Sequence, residues 1–237
     1  MTARPTPDLI PPHGGYRRLI AYQMAEIVHD ATVVFVGRFV DRFSRTRDQM
    51  VQAARSGKQN IAEGSQASGT SKRTELRLIG VARASLEELL VDVEDYLRQH
   101  DLPQWPLRDW RVAWIRRRSR CRPPDYCLFR RLVEERPAEV AANTLLCLIN
   151  QTTYLLDQLL RRLGEDFKNH GGATERLYQV RRQWRDGQVR EAAECPCRPP
   201  LAALVSYLLP ENCRVPGRLD RRARPARIHQ HPIQGVG

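Results

Sequence analysis

Lysine is nearly missing from this chain. Of its 39 basic residues only Lys58, Lys72 and Lys168 are lysine, and the other 36 are arginine. Long apolar runs are missing too. The longest, residues 31–36 and 201–209, fall far short of the roughly 18 residues that a membrane span needs, which excludes a membrane-spanning helix. Six cysteines in 237 residues are too few for a disulfide-built scaffold. There is no strand-like alternation, no glycine-rich phosphate loop after a strand, no Gly-x-Ser-x-Gly elbow and no His-Glu-x-x-His pair. Nothing therefore supports a hydrolase, kinase or protease, and the expected protein is not an enzyme. Residues 1–15 hold Pro5, Pro7, Pro11 and Pro12 and lack the apolar middle segment of a signal peptide, so they read as a loose leader and the expected address is cytoplasmic.

What is present is a helical chain with an excess of positive charge. Hydrophobic residues make up 41%, enough for a core, and the formal charge is +12, which raises the expectation of a nucleic-acid partner. Arginine suits that role because its planar fork contacts phosphate through two N–H groups at once. From Tyr16 to about Phe43 the apolar residues Ile20, Met24, Ile27, Ala31 and Val34 or Phe35 recur in steps of three and four, one stripe of a helix. Ser44 or Thr46 caps a second helix that buries Met50, Ala53 or Ala54, and Ile61, and stops near Gly64. Ser71 or Thr74 caps a third, whose Ile79, Ala82, Leu86, Leu89, Val93 and Tyr96 form the cleanest seam in the chain. Residues 103–124 break the pattern. A long helix after Pro137 carries leucines on two faces and is expected to be the most buried, and a basic helix follows Gly171-Gly172. The expected fold is all-α, with residues 16–170 as an up-down-up-down four-helix bundle, 171–194 as an extra basic helix, and 195–237 as a disordered Arg/Pro-rich tail.

Three separated motifs add a resemblance. Ser56-Gly57-Lys58-Gln59-Asn60-Ile61-Ala62-Glu63-Gly64 resembles the central motif of the four-helix-bundle family encoded in 23S rRNA intervening sequences. Ala82-Arg83-Ala84-Ser85-Leu86-Glu87-Glu88-Leu89 with Tyr96-Leu97 is similar to its third helix, and Ala142-Asn143-Thr144, Leu148-Ile149-Asn150-Gln151 and Tyr154-Leu155-Leu156 to its fourth. The match spans residues 16–185. The resemblance implies a homopentamer whose basic surface engages RNA, DNA or a reverse transcriptase, since the family includes the accessory variability protein of diversity-generating retroelements. Some members carry a suffix resembling a cysteine-rich zinc ribbon. Here its cysteine pairs are reduced to Cys195-Pro196-Cys197 and a lone Cys213, within a tail of seven arginines and seven prolines in 42 residues. A reading-frame slip near Cys197 would produce that composition.

Each candidate site has a plain structural alternative. Asn60, Glu63, Gly64, Ser85 and Glu88 stand among small residues at helical spacing and read as a polar clasp between the second and third helices rather than a ligand or catalytic site, because no histidine or nucleophile accompanies them. Glu26-x-x-His29 has the spacing of a bundle di-iron site but no second copy, so a solvated face is the better reading and no metal is expected. Cys195, Cys197, Cys213, His229 and His231 lack the paired spacing of structural zinc, and no cofactor is expected. Arg116, Arg117, Arg118, Arg120 and Arg122 form the densest charge cluster. Interleaved Trp105, Trp110 and Trp114 favour nucleic-acid contact over a merely solvated face, because indole rings stack on unpaired bases. Arg181, Arg182 and Arg185 extend the basic surface. The expected function is a non-enzymatic homo-oligomeric bundle binding nucleic acid through arginine–phosphate contacts; the alternative is a protein-interaction adaptor, for example an accessory subunit of a reverse transcriptase.

Overall fold

A computed structural model of the chain describes residues 13–121 and 123–194. The described residues are mostly helical and include no strand. Among them seven α-helices are formed: α1 (Ile20–Phe39), α2 (Arg45–Ala67), α3 (Lys72–Gln99), α4 (Trp110–Arg118), α5 (Arg130–Glu134), α6 (Ala138–His170) and α7 (Ala173–Glu194). Single turns of 3-10 helix precede α1 at Tyr16–Arg18 and α5 at Tyr126–Leu128. No described helix is long and apolar enough to cross a membrane. The chain divides into two units, residues 1–185 and 186–237, and the boundary falls inside α7. Helices α1 to α6 lie in the first. Cys195, Cys197, Cys213, His229 and His231, with the tail that carries them, lie outside the described residues, as do Arg122 and most of the leader.

Polar caps start the helices where the hydrophobic pattern begins. The Ser44 hydroxyl accepts from the Thr46 N–H at 3.3 Å to open α2, and Ser71 accepts from the Thr74 N–H at 3.2 Å to open α3. The third-helix seam faces inward: Ile79, Ala82, Leu86, Leu89 and Val93 are all fully buried, while Tyr96 lies half-buried with its ring edge-on to Phe35 of α1. Of the described helices α6 contributes the most buried residues, Leu145, Leu148, Ile149 and Leu156 among them. Each such leucine stabilises the fold by about 1.5–3 kcal/mol relative to an exposed one. Four of the long helices pack in a closed cycle, α1 on α2, α2 on α3, α3 on α6 and α6 on α1, around one core. An Arg83–Asp157 ion pair at 2.6 Å joins α3 to α6 at the rim, where both side chains remain partly exposed and such pairs contribute about 0–1 kcal/mol.

The α2–α3 contact explains the small residues of the Ser56–Gly64 segment. A Cβ on Gly57 would lie 2.8 Å from Leu86 Cδ2, and one on Gly64 would lie 3.3 Å from Ile79 Cδ1 and 3.4 Å from the Glu75 carbonyl oxygen. Seven residues apart, the two glycines share one face of α2, and the side chains of α3 fill the space a larger residue would take. At the start of the described chain the Gly14 N–H donates to the Ser65 carbonyl at 3.1 Å. The last residues of the expected loose leader are thus anchored to the end of α2.

Candidate nucleic-acid interface

The segment that breaks the helical pattern builds a site. After α3 the chain runs without regular structure through Pro103, and a turn follows in which the Asp109 N–H donates to the Pro106 carbonyl at 2.9 Å. Asp109 then caps α4: its carboxylate accepts from the Arg111 N–H at 2.8 Å. The Arg111 guanidinium closes back on the same carboxylate through Nη2 at 2.8 Å and Nε at 3.1 Å. These bonds, the guanidinium's first and the backbone's second, hold the Asp109 carboxyl below the usual carboxylate range. Val112 and Ile115 bury one face of α4 against α6. Trp110, Trp114 and Arg118 stand four residues apart and form a stripe on the exposed side. Trp110 is 74% exposed and Trp114 38%, and the Arg118 guanidinium lies over the Trp114 ring at 4.4 Å. Arg116, Arg117 and Arg118 fill the last turn and are exposed, as is Arg120 just beyond it. Cations at a helix C-terminus also complement its dipole.

Beside this stripe opens a cleft of about 350 Å³, lined almost entirely by apolar groups. Trp105, Trp110 and Trp114 face it from the 103–118 region, and Leu132, Pro137 and Val140 from the α5–α6 side. Arg111 and Arg136 supply its charged side chains. Trp105 forms the fixed part. It is only 8% exposed, its indole N–H donates to Glu139 Oε1 at 2.7 Å, and Arg111 covers its ring at 3.9 Å. Its backbone N–H donates to Asn143 Oδ1 at 2.7 Å, while Asn143 Nδ2 donates to the Pro103 carbonyl at 2.9 Å. Asn143, buried in α6, therefore clips the 103–105 segment to the bundle. Opposite, the Arg38 guanidinium of α1 donates to the carbonyls of Val133 and Arg136 and pins the α5–α6 turn. Trp105 is thus a structural ring rather than an open stacking surface. The exposed rings are Trp110 and, to a lesser degree, Trp114, one face of which Arg118 covers. In the sequence Asn143 shows only as a polar residue within a family-like motif, and its separation from Trp105 by 38 positions hides the bond between them.

The other site residues are dispersed. Arg181, Arg182 and Arg185 are exposed on α7, a different helix from the α4 cluster. In the polar segment of α2 and α3 the crossing bond joins Ser56 and Ser85, whose hydroxyl oxygens are 3.0 Å apart. Asn60 turns back to its own helix, donating to the Ser56 carbonyl at 2.8 Å and to the Ser56 hydroxyl at 3.1 Å. Glu63 and Glu88 are exposed, so they stand outside a buried clasp; their α2 and α3 positions point away from the Gly57–Leu86 contact. Gly64 is buried at that contact face. A wider groove of about 860 Å³ runs beside the two serines, lined by Arg45, Asp48, Glu88 and Asp92 among others. Partial burial, then Asp95 and Glu88, raise the Asp92 pKa.

Among the described residues no group of three or more histidine, cysteine, aspartate or glutamate side chains is placed to hold a metal ion. Glu26 is exposed and His29 pairs with Asp30 at 3.3 Å. Cys121 and Cys127 are exposed, whereas burial pushes the Cys147 thiol up to about 11. No family model, curated protein or solved structure matches the chain.

Proposed function

We propose that this protein is a non-enzymatic, homo-oligomeric, antiparallel four-helix bundle of the kind encoded in 23S rRNA intervening sequences, and that it binds RNA or DNA mainly through arginine–phosphate contacts. The observation that carries the binding is α4: Arg116, Arg117 and Arg118 exposed in one turn, next to two exposed indole rings on the same helix. Phosphate takes the charge and the rings take base faces, the usual pairing at single-strand sites. The sequence carries no recognised base-reading module, so binding is expected to be sequence-tolerant. Closed assembly, a pentamer by the family resemblance, would repeat each patch and convert a modest contact into avidity.

Fluorescence anisotropy of the purified protein with structured RNA, single-stranded DNA and duplex DNA across a salt series tests this, with light scattering for the mass. The expected outcome is binding that falls linearly on a log–log plot with salt, by about 0.7–0.9 per phosphate contacted. Absence of binding at low salt by a correctly assembled oligomer contradicts the reading.

A second reading, a protein-interaction adaptor such as a reverse-transcriptase accessory subunit, draws on α7. Leu177, Tyr178 and Trp184 are exposed there, large apolar side chains of the type that anchor protein partners. A reverse-transcriptase gene and template repeat beside this gene would favour it.

A further inference from the structure

We propose that the tryptophan-lined cleft beside α4 takes one unpaired base of a single-stranded nucleic acid, so that the interface selects for strandedness and not for base identity. The proposal rests on the nucleic-acid reading above and adds to it a ligand class and a form of selectivity.

Four observations lead there. The first is the exposure of Trp110: a 74% exposed indole at the mouth of an apolar cleft is a large hydrophobic surface left in water. The cleft's volume, about 350 Å³, lies at the small end of the range of about 300–1,000 Å³ for ligand pockets, suited to one planar ring and not to a helix or a long peptide. Its lining is the second. Arg111 is already held by Asp109, with Glu139 3.5 Å away, which leaves Arg136 as the other charged side chain at the cleft and few polar groups to read the edge of a base. An apolar slot with aromatic walls accepts the π-face of any base and discriminates little among them. Rigidity is the third: Asn143 and Glu139 hold Trp105 in place, so no ordering of the floor is required on binding. The fourth is charge. Arg116, Arg117 and Arg118 share α4 with the two exposed rings, which favours an anionic chain running past the inserted group. That condition fits the phosphates flanking a base and disfavours this chain's own proline-rich tail, which carries seven arginines after Pro196. In a duplex every base is stacked between neighbours, and lifting one out costs a few kcal/mol. Only an unpaired base reaches the cleft freely.

The test compares the full chain with Trp110→Ala and Trp110→Phe, using a fluorescein-labelled mixed-sequence DNA strand and the same strand in a blunt duplex. The parent is expected to prefer the single strand, and strand binding is expected to quench its tryptophan emission. Trp110→Ala narrows that preference by on the order of tenfold, the effect of removing one base stack. Its salt slope stays as steep as the parent's because the phosphate contacts remain, and Trp110→Phe restores most of the preference. Circular dichroism shows equal helicity in all three. Equal binding of strand and duplex by the parent overturns the proposal, as does a Trp110→Ala variant indistinguishable from it. A proline-rich peptide that quenches the parent but not Trp110→Ala, without displacing the strand, also overturns it and assigns the cleft to a protein partner. If the parent binds neither probe at low salt, the nucleic-acid reading itself falls and the base site with it; if it binds both and only the Trp110 effect is missing, the phosphate interface stands alone.

Discussion

Asn143 carries more of the site than its place inside a leucine-rich helix announces. Its carboxamide makes bonds in two directions: the oxygen accepts from Trp105, and the nitrogen donates to the Pro103 carbonyl and to the Glu139 carbonyl one turn earlier. Removing it leaves the buried Trp105 N–H without its partner, which costs about 1–3 kcal/mol for a buried group left unpaired. Asn143→Ala is therefore expected to lower the urea midpoint and to shift tryptophan emission toward that of water-exposed indole before the helices melt. A single transition, with tryptophan emission and helicity disappearing together at the parent's midpoint, contradicts the clip. Asp109 plays the matching part at the other end of the segment, capping α4 and fixing Arg111 over Trp105. Neither residue stands out in the sequence. A lone buried asparagine and a lone aspartate after a proline are common, and their meaning depends on partners many positions away.

At the scale of elements, the α2–α3 pair depends on a close approach that glycine permits at Gly57. A methyl added there would meet the Leu86 side chain, which can shift slightly, and alanine's better helix propensity offsets part of the strain by about 1 kcal/mol. A branched side chain has no such compensation. Gly57→Val is expected to destabilise the protein by about 2–3 kcal/mol in urea unfolding, the upper part of the range for overpacking, and to break the Ser56–Ser85 bond along with the packing. A variant as stable as the parent would mean that the two helices separate without cost. The helices themselves are largely legible in the sequence. Steps of three and four over 79–96 map onto buried faces because a helix has no other way to hide such a stripe, and Ser44 and Ser71 sit where capping chemistry requires an oxygen. α4 is not legible as a helix. It is nine residues long, lies between prolines, and buries only Val112 and Ile115, too few turns to display a period. The tryptophans and arginines within it are visible as a cluster, but the cleft requires the tertiary placement of Leu132, Pro137 and Val140 against them.

On the scale of the whole molecule, what matters is how charge is distributed. The formal charge of +12 belongs to the whole chain, and the proposed interface uses a local part of it: three arginines in the last turn of α4, on the same helix as Trp110 and Trp114. The measurement that tests this most directly is the salt dependence of single-strand affinity for the parent and for the variant with Arg116, Arg117, Arg118 and Arg120 all changed to glutamine. The variant's slope is expected to be shallower by about 0.7 for each phosphate it no longer neutralises, with helicity and assembly mass unchanged. A variant that binds as tightly as the parent, with the same slope, would contradict the assignment of the interface to α4.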